Sequence, residues 1–148
     1  MKMNNHYFEH EKLDVYQAAL ELIVLTEEII AQLPRGRAYL ADQLQQAGSS
    51  VPLNIAEGAG EFSTNEKIRF YRMAKRSATE CAGIVDVCWR LNLVDDILRA
   101  KSREILLRIV SMLTKMARVS CARSIIEVKT YFNIDFQSQL SHMDGIVK

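Results

Sequence analysis

Turn formers are scarce. Two prolines and six glycines in 148 residues are too few for the many turns of an all-β domain. The three cysteines, Cys81, Cys88 and Cys121, are odd in number and contain no Cys-x-x-Cys pair, which excludes a disulfide framework and a cysteine zinc site. No apolar run at the N-terminus is long enough for a signal peptide. The longest membrane candidate, residues 13 to 33, is broken by Glu21, Glu27 and Glu28, each costly in lipid. A cytoplasmic protein with no membrane partner is expected. A strong net charge is lacking too. At +1 with a pI near 7.7, no global field drives the chain onto nucleic acid, so any such binding needs a local patch.

What is present is helical periodicity. Hydrophobic residues make up 49% and charged residues 25%, an ordinary composition for one globular domain. A first helix is expected over residues 13 to 33, stopped by Pro34 and Gly36. Its polar positions Asp14, Gln17, Glu21, Glu28 and Gln32 make one stripe, and nearly everything else is apolar. That arc is wider than one bundle seam needs, and it points to burial on a second side, by another subunit or by the C-terminal tail. A second helix is expected over 38 to 57. Pro52 should kink it, having no N–H to give the Gly48 carbonyl, and Gly58 and Gly60 should end it. Ser63 and Glu66 spell the capping box of a third helix, expected over 64 to 91 with Phe70, Ala74, Ser77, Cys81, Ile84, Cys88 and Leu91 on one face. Asp95 or Asp96 should cap a fourth, over about 96 to 122, with Ile105, Ile109, Met112, Met116 and Val119 as its seam. The cysteines and methionines read as core filling rather than as redox or cofactor groups.

Long helices with short links give an all-α, antiparallel up-down four-helix bundle covering residues 1 to 129. Residues 130 to 148 form a tail. There "YFNIDFQ" places Phe132, Ile134 and Phe136 on alternate positions, a short strand-like pattern.

Three stretches, "LDVYQAALEL", "LADQLQQAGSSVPLNIAEGAG" and "KIRFYRMAKRSATE", carry a family resemblance over roughly residues 8 to 122. The chain resembles the four-helix-bundle family of 23S ribosomal-RNA intervening-sequence proteins, related to the accessory variability determinant of diversity-generating retroelements, a reverse-transcriptase partner. The resemblance implies a homopentamer without enzymatic activity. The chain departs from the family in two places: Gln45 and Gln46 stand where family members commonly carry basic residues, and the tail past Lys129 exceeds the usual family end.

No catalytic constellation emerges. Glu57 and Glu80 could form a carboxylate pair, but di-metal bundles use Glu-x-x-His, and His6, His10 and His142 all lie in the tails. No catalytic residue, metal or cofactor is therefore expected. Pro52, Asn54, Glu57 and Gly58 read as an architectural motif in which Asn54 meets Ser77 or Glu80, and Asn54 and Glu57 satisfy backbone groups freed by the kink. For function, Arg69, Arg72 and Arg76 on helix three, and Lys101, Arg108, Lys115 and Arg118 on helix four, are the candidate phosphate contacts. The expected role is a non-enzymatic nucleic-acid-binding scaffold, accessory to a ribonucleoprotein or reverse transcriptase. The alternative is a protein-interaction scaffold without nucleic acid, anchored by Tyr131, Phe132, Ile134 and Phe136 of the tail.

Overall fold

The computed structural model describes residues 7–144, with side chains described as far as Thr130. Four long helices pack against one another: α1 (Asp14–Gln32), α2 (Ala38–Gly60), α3 (Thr64–Arg90) and α4 (Asp96–Asp144). Short 3-10 turns at Glu9–Lys12 and Arg35–Arg37 precede α1 and α2, and no strand occurs among the described residues. Each helix borders two others, α1 meeting α2 and α4, and α3 meeting the same two, while no close backbone approach joins the diagonal pairs among the described residues. The α2–α3 and α3–α4 seams are the extensive ones, and α1 is the more lightly held helix.

The core runs through all four. Leu22 and Ile29 of α1, Leu44 and Ile55 of α2, and Ile109 and Leu113 of α4 are at most 1% exposed. Burying each is worth about 1.5–3 kcal/mol. Cys81 and Cys88 are buried among them. Burial, with a smaller contribution from the Glu80 carboxylate, pushes the Cys81 thiol up to about 12, so it stays protonated packing material.

Pro52 lies inside α2, which continues without a break from Ala38 to Gly60. The helix outruns the expected end at Glu57 because Gly58 is not a terminator. No glycine among the described residues has positive φ, and Gly58 is helical and buried. A Cβ there would sit 2.8 Å from Tyr71 Cε1 and 3.0 Å from Phe70 Cβ. Gly58 is a point of close approach between α2 and α3. Gly48 plays a milder version of the same part toward α1, where a Cβ would lie 3.3 Å from the Thr26 methyl.

The junctions follow local rules. The Ser63 hydroxyl accepts from the Glu66 N–H at a long 3.5 Å, and the Glu66 carboxylate turns to Arg69 instead of closing the box. Between α3 and α4, Asn92 takes φ 56°. Its N–H donates to the Trp89 carbonyl, and the Leu93 N–H to the Cys88 carbonyl, which is a Schellman ending with asparagine in the left-handed position. Asp95 then caps α4, accepting from the Leu98 N–H at 2.7 Å.

The tail differs from expectation. Residues 131 to 136, read as strand-like, are helical, and α4 runs on from residue 122 to Asp144. The sequence holds no proline after Pro52 and no glycine between Gly83 and Gly145. Nothing stops the helix, and three alternating apolar residues do not outweigh its propagation. The side chains of Tyr131, Phe132, Ile134 and Phe136, like His6 and His142, lie outside the described residues.

Candidate nucleic-acid interface

The family-like motif of α2 is used up in packing. The Ser77 hydroxyl of α3 donates to the Ser50 hydroxyl at 2.9 Å. Asn54 Nδ2 donates both to that hydroxyl, at 2.9 Å, and to the Ser50 carbonyl, at 2.8 Å. Asn54 thus reaches α3 through Ser50. Its bond goes to the Ser50 carbonyl rather than to that of Gly48, the one Pro52 leaves without its helical donor. Glu57 and Glu80 are both exposed and stand outside this network, so the carboxylate pair set aside on sequence grounds is not assembled in a closed site, and Glu57 is not part of the polar packing expected of it. No cluster of three or more metal-ligating side chains occurs among the described residues.

The candidate phosphate contacts fall into separate groups. On α3, Arg69, Arg72 and Arg76 line a shallow concavity of about 270 Å³ with Asn65 and Met73. Helical spacing of three and four puts the three guanidinium groups on one face. Arg69 is partly committed, since its guanidinium lies 2.8 Å from the Glu66 carboxylate and over the Phe70 ring. Arg72 and Arg76 are exposed and have no ion-pair partner among the described residues.

On α4, Lys101 and Arg108 line the groove toward α1, and they share it with Glu21 and Glu104. Carboxylates in the same groove compete with any phosphate for those cations. This groove and the α3 concavity share no lining residue. Lys115 and Arg118 are exposed farther along α4 and line neither site.

Two arginines of the opposite flank of α4 are not marked by any sequence motif. Arg99 and Arg103 line a groove of about 200 Å³ between α3 and α4. Arg99 Nη2 is 2.8 Å from Asp86 Oδ1, and its guanidinium lies 3.9 Å over the Trp89 ring. The Trp89 N–H in turn donates to Asp96 at 2.7 Å. Their four-residue spacing was the available signal, hidden because it is out of phase with the Lys101–Arg108–Lys115 stripe.

Charge is segregated by helix. α1 carries Asp14, Glu21, Glu27 and Glu28 and no basic residue, and α2 carries only Asp42 and Glu57. α3 has six basic residues against three acidic ones, and α4 as far as Arg118 has six against two. A net charge of +1 therefore conceals an acidic half and a basic half.

No helix of the described residues is long and apolar enough to cross a membrane. Comparison with curated proteins gave no match. The model of the 23S rRNA-intervening sequence protein family matches residues 11–115, which takes in α1, α2, α3 and the first part of α4. With more than half its length matched and four packed helices as its fold, the chain belongs to the 23S rRNA-intervening sequence protein family.

Proposed function

We propose that this chain is a non-enzymatic scaffold that binds RNA or DNA through the phosphate backbone, as an accessory to a ribonucleoprotein or reverse-transcriptase system. In this reading the helices run antiparallel, copies assemble as a homopentamer, and the protein works in the cytoplasm. The observation that carries it is the arginine concavity of α3, where Arg72 and Arg76 project without carboxylate partners among the described residues. Repetition of that concavity around an oligomer would multiply its charge without raising the net charge of one chain. No aromatic side chain lines it, so the binding is to backbone rather than to stacked bases.

The test is anisotropy of a labelled RNA and a labelled DNA against salt. Removing one phosphate-binding cation reduces the slope of log K against log salt by about 0.7–0.9. Arg72→Glu with Arg76→Glu should weaken binding and flatten that slope. Lys101→Glu with Arg108→Glu should do less, because Glu21 and Glu104 already occupy that groove. Unchanged affinity in the Arg72 and Arg76 variant would sink the proposal.

A second reading is favoured by one observation. Beyond the family match, α4 extends to Asp144, and Val119, Ile125, Ile126 and Val128 on it are each at least 45% exposed. On this reading the extension anchors a protein partner, a reverse transcriptase or another. Ile126→Glu with Val128→Glu, both at exposed positions, leaving the bundle folded but abolishing capture of that partner, would support it.

A further inference from the structure

α1 has an outward face as well as an inward one. Its exposed positions Gln17, Leu20, Val24, Glu27 and Ala31 recur at spacings of three and four, the pattern of a helix seam that meets another helix pair. Leu20 is 40% and Val24 59% exposed, although both sit mid-helix where an isolated bundle has no use for apolar side chains. The charge carried by α1 itself is all acidic, although Lys101 and Arg108 of α4 border Val24 on one side. Glu27 and Glu28 are exposed and have no ion-pair partner among the described residues.

A complementary surface lies elsewhere on the same molecule. The α3–α4 groove has an apolar floor of Ala82, Val85, Leu106 and Val110. Leu107, also in its lining, is 56% exposed. The rim is basic: Asp86 is neutralised by Arg99 at 2.8 Å, whereas Arg103 has no ion-pair partner among the described residues.

We infer that the outward face of α1 docks in the α3–α4 groove of a second copy of this chain, Leu20 and Val24 covering the apolar floor and Glu27 or Glu28 answering Arg103. This rests on the oligomer of the preceding reading and assigns its surface. The contact is head to tail, because the two faces belong to different parts of the molecule. α4 gives Lys101, Glu104, Ile105 and Arg108 to the groove that Val24 lines, and Arg99, Arg103, Leu106, Leu107 and Val110 to the groove it shares with α3, so Val24 and the receiving groove stand at the same level along α4. A copy docked with its helices parallel to its neighbour's is then offset little along the bundle, as a closed ring requires. The arrangement leaves Arg72 and Arg76, outside both faces, free on every copy.

Light scattering on the full chain tests this. Val24→Arg sets a cation against the basic rim, and Leu107→Glu sets a carboxylate against acidic α1. Both positions are exposed, so circular dichroism should show folded protein in each case. Each variant alone should weaken association about a hundredfold and fall toward the single-chain mass of 16.9 kDa. An equimolar mixture should regain a heterodimer, because the unaltered α1 face of the Leu107→Glu chain meets the unaltered groove of the Val24→Arg chain. Arg103→Glu, at a rim position, should weaken assembly about tenfold. A wild-type oligomer that survives both single variants, or a mixture that stays dissociated, overturns the surface assignment while leaving the oligomer standing. A wild-type chain that is itself monomeric overturns both.

Discussion

The α2–α3 seam and the flanks of α1 and α4 use their side chains in opposite ways. In the seam every special residue is consumed. Gly58 lets the helices touch, and Ser50, Asn54 and Ser77 bond one another. On the flanks, arginines, glutamates and aliphatic side chains are left over for partners outside their own chain. The proline-containing motif of α2 is thus architecture, and the groups with binding capacity to spare sit on exposed faces outside it.

The comparison breaks most visibly at Gly58. Alanine there must push Tyr71, which is 4% exposed, or move α2 off α3. A loss of about 2–3 kcal/mol in denaturant unfolding is expected. Gly60, two residues on, has nothing within 4 Å of where its Cβ would be. Gly60→Ala should therefore leave stability unchanged or raise it by about 0.5–1 kcal/mol. Equal effects at the two positions would show that the seam is looser than described.

The polar part of the seam should yield a smaller effect. Ser50→Ala removes the acceptor shared by Ser77 and Asn54, leaving only the Ser50 carbonyl to the amide of the buried Asn54. A loss of about 1–2 kcal/mol is expected. Ser49→Ala serves as the control, since the Ser49 hydroxyl only reaches back to the Gln46 carbonyl on the exposed side. The Ser49 variant should move less than about 0.5 kcal/mol.

How much of this could be read from residue order alone depends on whether the deciding interaction is local. Helix starts and stops at Pro34, Ser63 and Asp95 are local and were legible. Of the expected α4 seam, Ile105, Ile109, Met112 and Met116 lie buried or half-buried as helical periodicity requires, whereas Val119 is 45% exposed and does not belong to it. The role of Gly58 was not legible, because a glycine near a helix end and a glycine under a tyrosine from another helix look identical in one dimension. The strand-like reading of residues 131 to 136 failed for the opposite reason. It weighed a two-residue alternation and overlooked that no breaker separates it from the helix before it. The phosphate candidates were legible as residues but not as a surface. Arg69, Arg72 and Arg76 share one helix and were found together. Lys101 and Arg108 turned out to face Glu21, a neighbour that only the packing of α1 on α4 reveals.

The junction between the seam and the basic flank offers the smallest and sharpest test. Asn92 holds the left-handed position of the α3 ending at φ 56°, the conformation asparagine tolerates better than other residues with a Cβ and glycine better still. The hydrogen bonds that close that turn are backbone bonds of Asn92 and Leu93, so they do not depend on the asparagine side chain. Asn92→Ala should therefore cost about 1 kcal/mol through backbone strain alone. Asn92→Gly should hold or raise stability by about 0.5 kcal/mol, with nucleic-acid affinity unchanged in both. If alanine proved as stable as glycine, the turn would not be held in the left-handed conformation. The angle that brings Arg99 over Trp89, and Arg103 to the groove, would then have to be set by the Arg99–Asp86 pair rather than by the chain itself.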